Sequence, residues 1–177
     1  MASELIVQTL KGPTSGANAN KVIIPSGQTL DASAGGFTTP AGHVIQVVSY
    51  NDILTATNTN STTFIATTLA ATITPTSASN KILVTATFSA TQDGGSNFQS
   101  HVQIYRGTTN LRPTGTPNFM YDHAGGNVGF SGTYMYYDSP ATTSATTYTV
   151  YVKVTNSASY FRAVAGTDTI TLMEIAG

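Results

Sequence analysis

The sequence predicts an all-β protein: an antiparallel β-sandwich or jelly-roll head preceded by a short extended β-rich N-terminal segment. Three observations predict this class. Serine and threonine make up 48 of the 177 residues, and threonine favours strands because its branched Cβ suits a pleated surface. Apolar and polar residues alternate over several segments, as they do in half-buried strands. No long segment repeats its apolar positions with a helical period, so we expect very little helix.

The clearest strands are 81–89 and 148–155, where apolar side chains occupy every second position. In the first of them Ile82, Val84 and Phe88 share one face. Turn-forming residues separate the candidate strands. About eight to ten short strands at this spacing favour a sandwich or jelly roll over a parallel sheet. The further predicted strands are 44–50, 62–68, 71–75, 98–106, 132–138, 160–164 and 169–175.

Residues 1–40 differ from the rest of the chain, and we place a domain boundary after Pro40. Short apolar runs alternate there with Pro and Gly turns, and such runs cannot bury their faces alone. In a homo-oligomer the same segment of another copy can cover them. We therefore predict an oligomerisation or anchoring segment over 1–40 and the head over 41–177, with a disordered tail as the alternative for 1–40. The candidate oligomerisation residues are Leu5, Ile6, Val7, Val22, Ile23, Ile24 and Leu30.

The composition argues against several classes of protein. The chain has no cysteine, which excludes a disulfide framework and a thiolate metal site. Only 8% of the residues are charged and the net charge is −1, so no basic stripe is present for nucleic acid. No span approaches the roughly 20 apolar residues that cross a bilayer, and no secretory signal is visible. We expect a soluble chain that neither inserts into membranes nor binds nucleic acid.

The residue types that usually carry catalysis form no recognisable pattern. His43, His101 and His123 lack the spacing of metal ligands, and we expect them at the surface or in an interface. No Gly-x-Ser-x-Gly motif occurs, and the aspartates lie beside turn-forming residues. The glycines of 125–132 do not match a phosphate-binding loop and are interpreted as a flexible loop. We therefore predict no catalytic residues, no bound metal, no cofactor and no enzymatic activity.

The segment 111–137 is rich in aromatic residues interleaved with amides and carboxylates. Aromatic rings can stack on the C–H groups of a sugar while nearby polar groups bind its hydroxyls. The alternative is that Tyr134–Tyr137 belongs to a core or interface strand, so we keep the part from Phe119 to Phe130 as the exposed candidate. The possible receptor or glycan contacts are Phe119, Tyr121, Asp122, His123, Asn127 and Phe130.

Several segments, taken in order, resemble a known family. They are 5–7, 12–16, 20–30, 40–48, 72–75, 79–84, 104–111 and 170–175. Their succession is similar to that in tail-fibre and other virion structural proteins of marine and cyanobacterial bacteriophages. No single segment is diagnostic, and it is the order over nearly the whole chain that carries the resemblance.

This resemblance implies a trimeric virion appendage subunit whose head is a jelly roll similar to C1q and TNF domains. It implies no catalytic residues. The expected partners are other copies of the chain, other tail or capsid proteins, and a host-surface glycan, and the expected location is the virion. Receptor-binding fibres are usually much longer than 177 residues. A capsid decoration protein that stabilises or coats the phage head is therefore the alternative, and a polysaccharide depolymerase is not expected.

Overall fold

The computed structural model describes residues 11–19, 21–29, 40–52, 58–94, 97–112, 118–123, 125–158, 160–163 and 168–177. The chain divides into two compact units, Met1–Thr38 and Thr39–Gly177. The described residues contain strands and no helix, so the prediction of an all-β antiparallel sandwich is confirmed.

Eleven strands are assigned within the described part of the chain, all of them in the second unit. They are β1 (Val44–Asp52), β2 (Asn58–Thr59), β3 (Ile65–Ile73), β4 (Lys81–Gly94), β5 (Phe98–Arg106), β6 (Thr109–Asn110), β7 (Asn118–Asp122), β8 (Gly126–Asp138), β9 (Thr146–Val154), β10 (Tyr160–Ala163) and β11 (Asp168–Ile175).

Three departures from the predicted strands have physical reasons. The segments 62–68 and 71–75 form one strand, β3, because a register shift between Ala66 and Ala70 lets pairing continue past the break in alternation. Strand β8 starts at Gly126 rather than Gly132, since β4 reaches Gly94 and pairs with β8 along its whole length. Strand β7 lies where we expected an exposed loop, and it pairs with β5. Because β8 begins at Gly126, the flexible-loop interpretation of 125–132 was wrong from Gly126 onwards.

The strands pair as in a jelly roll. β1 pairs with β11, β3 with β9, β4 with β8 and β5 with β7, all antiparallel. If each short strand is counted together with a longer neighbouring strand, the chain forms eight rows. The first row pairs with the eighth, the second with the seventh, the third with the sixth and the fourth with the fifth. We call the sheet of β1, β11, β4 and β8, with β10 and β2, sheet A, and the sheet of β3, β9 and β5, with β6 and β7, sheet B.

The core lies between the inner faces of the two sheets. Strand β4 contributes every second residue, with Ile82, Val84 and Phe88 essentially inaccessible to solvent, while β9 contributes Tyr148 and Val150 in the same way. Complete burial of such side chains stabilises the fold by about 1.5–3 kcal/mol each. The remaining members of the core cluster are Leu69, Ala71, Ile73, Ala86, Ala90, Val102, Ile104, Val152, Val154, Phe161, Ile170 and Leu172.

Glu174 is a charged residue on this inner side of sheet A and is fully buried. Its Oε1 accepts hydrogen bonds from Asn80 Nδ2 at 2.6 Å and from the Thr76 backbone N–H at 2.7 Å. The Thr76 hydroxyl donates to the same oxygen, and Gln46 Nε2 donates to Oε2 at 2.6 Å. Burial by itself raises the pKa of the Glu174 carboxyl, but these hydrogen bonds outweigh burial and hold that pKa below its usual value. Glu174 thus ties the segment after β3 to β1 and β11.

The two ends of the head are defined by the antiparallel registers. At one end, which we call the proximal end, Val44 pairs with Ile175 and Ile175 pairs with Lys81. The backbones of Gly42 and His43 also bond to Ala176 there, so the described part of the second unit begins at this end. The other, distal end holds Gly94, paired with Gly126, and the loops that follow β4 and β7. The 14 residues of β4 separate the two ends by roughly 40 Å.

The first unit carries four of the predicted oligomerisation residues outside the described residues: Leu5, Ile6, Val7 and Leu30. Val22, Ile23 and Ile24 are described, and each is about half exposed. The structure assigns no strand to the described residues of 11–29, and a turn closes from Gln28 N–H to Pro25 O at 3.1 Å. The predicted β character is absent there because no second strand in that range supplies backbone partners.

Candidate functional site

The outer face of sheet A carries a row of apolar side chains near the proximal end. Val47 lies opposite Met173, Met173 opposite Leu83, and Leu83 opposite Tyr137, so one residue from each of the four rows points outwards side by side. Met135 adds to this row from the next outward position of β8. Met135, Tyr137 and Val47 are 63%, 56% and 55% exposed. Exposed apolar side chains that lie together in this way are typical of a surface that another surface covers.

Cross-strand pairs of hydroxyl groups cover the outer face beyond that apolar row. Ser49 and Thr171 are 3.0 Å apart, Thr87 and Thr133 are 2.9 Å apart, and Ser89 and Ser131 are 2.7 Å apart, all between oxygens. Within each pair one hydroxyl donates to the other. Such pairs lose less on removal from water than isolated hydroxyls, because a partner is already in place.

Charged residues occur on this face only near its two ends, among the residues the structure describes. Lys81 is at the proximal end, and Asp93 and Arg162 form an ion pair of 3.2 Å at the distal end. Between Leu83 and Ser89 the outward positions are apolar or carry hydroxyl groups. The middle of the face can therefore be covered by another protein surface without burying a charge.

A second candidate surface lies at the distal end, where three polar side chains meet. Asn97, in the loop between β4 and β5, accepts at Oδ1 a hydrogen bond of 2.7 Å from Tyr121 Oη. The Nδ1 of His123 is 2.9 Å from the same oxygen. The Tyr121 and His123 rings are tilted with centroids 6.2 Å apart, and Tyr121 is 50% exposed. We call Asn97, Tyr121 and His123 the distal cluster.

The predicted glycan contacts divide between this cluster and the interior. Tyr121 and His123 join the cluster, and Asn127 is exposed at the start of β8, opposite Asp93. Asp122 is only 7% exposed and accepts a hydrogen bond from the Gly125 N–H at 3.1 Å.

Phe130 packs against the core with its ring 6.2 Å from that of Phe161, so it is not the exposed residue we expected. It points inwards because it occupies an inner position of β8, opposite Ala90. The side chain of Phe119 lies outside the described residues. Asn97 was missed by the sequence prediction, although it closely follows Gly94 and Gly95 in a segment whose composition is typical of a turn.

The histidines are not brought together. His43 lies at the proximal end with Nδ1 3.0 Å from Pro40 O, whereas His123 lies at the distal end. His101 is 5% exposed, so the expectation of a surface position was wrong for it. Its neighbour Val102 takes the core position of β5, and His101 opposes Lys153 of β9. No group of three or more metal-ligating side chains occurs among the described residues.

Asp138, at the proximal end, is engaged in a buried polar group. Arg106 Nη1 donates to both of its carboxylate oxygens at 3.0 and 2.9 Å, and Tyr148 Oη donates at 2.6 Å. Burial, followed by the hydrogen bond and charge of Asp138, raises the pKa of the Tyr148 phenol above its usual range. An open cleft of about 400 Å³ adjoins Arg106 and Thr146. Because Asp138 already neutralises the guanidinium, this cleft offers little attraction to an anion.

An aromatic cluster on the outer side of sheet B was also missed. Tyr105 and Tyr151 stack with centroids 3.9 Å apart, and Phe64 lies 6.0 Å from Tyr105. The Lys153 ammonium lies 5.0 Å from the centre of the Phe64 ring. The signal for this cluster was present in the sequence, since Tyr151 and Lys153 occupy the outward positions of β9. All three rings are partly buried by one another, which favours a structural role.

The fold and these surfaces define a jelly-roll module with one extended face that is uncharged at its centre and one compact polar cluster at its distal end. No protein-family model matches the chain, and no match occurs among curated proteins. Among the described residues no helix is long and apolar enough to cross a membrane.

Proposed function

We propose that this chain is a non-enzymatic structural protein of a phage virion, a homotrimeric tail-fibre or appendage subunit whose head contributes to attachment at the host surface. The observation that carries the proposal is the outer face of sheet A, which combines an exposed apolar row with paired hydroxyls and no charge at its centre. The resemblance of the chain to virion proteins supports the location.

The size of this face supports contact between copies. Four rows about 4.8 Å apart and some ten residues of β4 give an area of about 600 Å². A standard protein interface takes about 800 Å² from each partner. The face therefore supplies most of one interface. Separately, the first unit has exposed apolar surface of its own at Val22, Ile23 and Ile24. In a trimer each copy would set this face against a different part of its neighbour's surface, and the centre of the face could be covered there without burying a charge.

The difference between the two ends of the head supports a role in attachment rather than a purely internal structural role. The described part of the head begins at its proximal end, while the distal cluster lies at the other end. A head that is attached to the virion at its proximal end would present Asn97, Tyr121 and His123 to the host. Absence of catalysis is part of the proposal, and it is supported by the engagement of Glu174 and Asp138 in buried hydrogen bonds.

The first test is the mass of the full chain in solution, measured by light scattering after size exclusion. A subunit of 18.4 kDa gives a trimer of three times that mass. Thr133→Asp places a carboxylate on the outer face of sheet A and should lower the mass to that of a monomer. Thr147→Asp is the matched control, because Thr147 also pairs its hydroxyl across strands, with Thr72 at 2.8 Å, but lies on sheet B.

A monomeric wild type, or equal effects of the two substitutions, would contradict assembly through sheet A. The choice between fibre and decoration protein needs the particle itself. Purified virions compared on a stained gel should show few copies of a fibre subunit, whereas a capsid decoration protein should be present in many copies. Removal of a decoration protein should also reduce the stability of the particle without reducing its binding to cells.

A further inference from the structure

We propose that the distal cluster binds an uncharged saccharide, with the Tyr121 ring stacked on a sugar ring and with Asn97 and His123 bonded to its hydroxyl groups. This inference rests on the proposed function for its biological setting. It is carried by the geometry of three residues, one of which the sequence did not single out.

The backbone at Asn97 places its side chain within reach of the two other members of the cluster. Asn97 has a φ of 64°, in the left-handed region, where asparagine is more common than most other non-glycine residues. Its side chain organises two exposed partners, Tyr121 and His123. Hydrogen bonds among exposed groups compete with water and contribute little to stability. Polar side chains that a rigid scaffold positions at its loops, without adding much stability, are characteristic of binding sites.

The hydrogen bonds determine which atoms the cluster offers to a ligand. Asn97 Oδ1 is the acceptor for Tyr121 Oη, so the proton shared with His123 is carried by Nδ1 of the imidazole. In the neutral ring Nε2 is then the acceptor. Tyr121 keeps the lone pairs of its oxygen as acceptors, and the Asn97 amide group keeps N–H donors. Sugar hydroxyls both donate and accept, so this set of groups complements them.

The charges around the cluster favour a neutral ligand over an acidic one. Asp93 and Arg162 of the same end neutralise each other at 3.2 Å. The Asp122 side chain points to the interior, where its carboxylate accepts from the Gly125 N–H. The cluster itself contains no lysine or arginine, so uronic or sialic acids would find no such cation there to pair with. A neutral hexose needs no cation, and its C–H face suits the half-exposed Tyr121 ring.

Binding at one cluster is expected to be weak, because the surface is shallow and includes a single exposed ring. In the proposed trimer three clusters would face the same direction, and attachment to a repeating polysaccharide would gain from multivalency, by about 10² or more. The density of the saccharide on the surface used to measure binding should therefore be varied in the experiment.

The test uses the full chain on an array of neutral oligosaccharides ending in galactose, glucose or mannose, with uronic and sialic acid oligosaccharides on the same slide. Asn97→Gly removes the carboxamide but keeps a residue that tolerates the positive φ, so it should fold at least as well as the wild type. Tyr121→Ala removes the ring. Both should lower binding to neutral sugars by about tenfold or more, and Tyr50→Ala, which alters a tyrosine with 44% exposure outside the cluster, should leave it unchanged.

Three results would overturn the inference: no binding to any neutral saccharide by the folded wild type, binding confined to the acidic ones, or full binding by Asn97→Gly. The mass measurement on the same samples separates this proposal from the previous one. A trimer that binds no sugar contradicts the saccharide site and leaves assembly intact. A monomer that binds through Asn97 contradicts assembly and leaves the site intact.

Discussion

Replacement of Glu174 tests whether a buried carboxylate holds the proximal end of the head together. The wild-type residue accepts four hydrogen bonds, from Asn80, from Gln46 and twice from Thr76. Glu174→Ala leaves these donors without their acceptor. Among these donors only Asn80 is deeply buried. We therefore expect the full free-energy cost of an unsatisfied buried donor for Asn80 and smaller costs for the others, about 3 kcal/mol in total. For a domain of this size that lowers Tm by about 6–12 °C.

The isosteric change Glu174→Gln should cost less, about 1–2 kcal/mol. Oε1 can keep its bonds to Asn80 and Thr76, but the new amide N–H₂ faces Gln46 Nε2, which also donates to Thr74 O at 2.8 Å. Gln46 cannot turn its amide to accept from the new group without giving up that second bond.

The pH dependence gives the sharper part of this prediction. The folded pKa of Glu174 is lowered below the usual glutamate value of 4.5, so its contribution to stability is present above pH 4.5 and is lost as pH falls through the folded pKa. Thermal unfolding followed by circular dichroism between pH 7 and pH 2, at one protein concentration, should show a loss of stability below pH 4.5 that is smaller in Glu174→Gln. Identical pH profiles for the two proteins would refute the reasoning.

Three further predictions concern stability, each measured by thermal and urea unfolding at pH 7. Tyr148→Phe should cost about 1–2 kcal/mol, because it removes the 2.6 Å hydrogen bond to buried Asp138; no change in Tm would mean that this bond is replaced by another. Leu172→Ala should cost about 2–5 kcal/mol by leaving a cavity in the core, where Leu172 is fully buried, and a loss below 1 kcal/mol would show that the site collapses. Ala141→Gly should instead stabilise by about 0.5–1 kcal/mol, since Ala141 has a φ of 52° that glycine adopts without strain; a lower Tm would contradict this.

The strands with strict alternation were the part of the fold that could be predicted. From Ile82 to Ala90 in β4 and from Tyr148 to Val154 in β9 one face is apolar, so period two specifies both the strand and its buried side. Strand β7 could not be found in this way, because a short edge segment with Asn118 and Asp122 at its ends has little apolar pattern. Its existence depends on pairing with β5, a contact that local sequence does not encode.

The candidate site could be predicted only in part for the same reason, because pairing between distant strands determines which side chains meet. The aromatic content of 111–137 indicated a segment that includes Tyr121 and His123 of the distal cluster, but alternation within β8 decides which rings of that strand reach solvent. Phe130 takes an inner position and Met135 an outer one. Asn97 enters the distal cluster only because β5 and β7 pair and bring two loops together, and nothing in its immediate neighbours indicates that. The predicted role of Leu5–Val7 and Leu30 stays a prediction.

The pairing of β1 with β11 has a consequence for how the head forms. Val48 and its partner Leu172 are separated by most of the chain, and Tyr50 and Ile170 likewise. These long loops must close before the contacts between their ends can form. The entropy lost in closing them slows folding, as in other proteins with a high contact order. During synthesis, β1 has no hydrogen-bonded strand partner until β11 has left the ribosome, so this edge of sheet A is completed last. A chain that stops before 168 would leave β1 and the apolar row of sheet A exposed to aggregation.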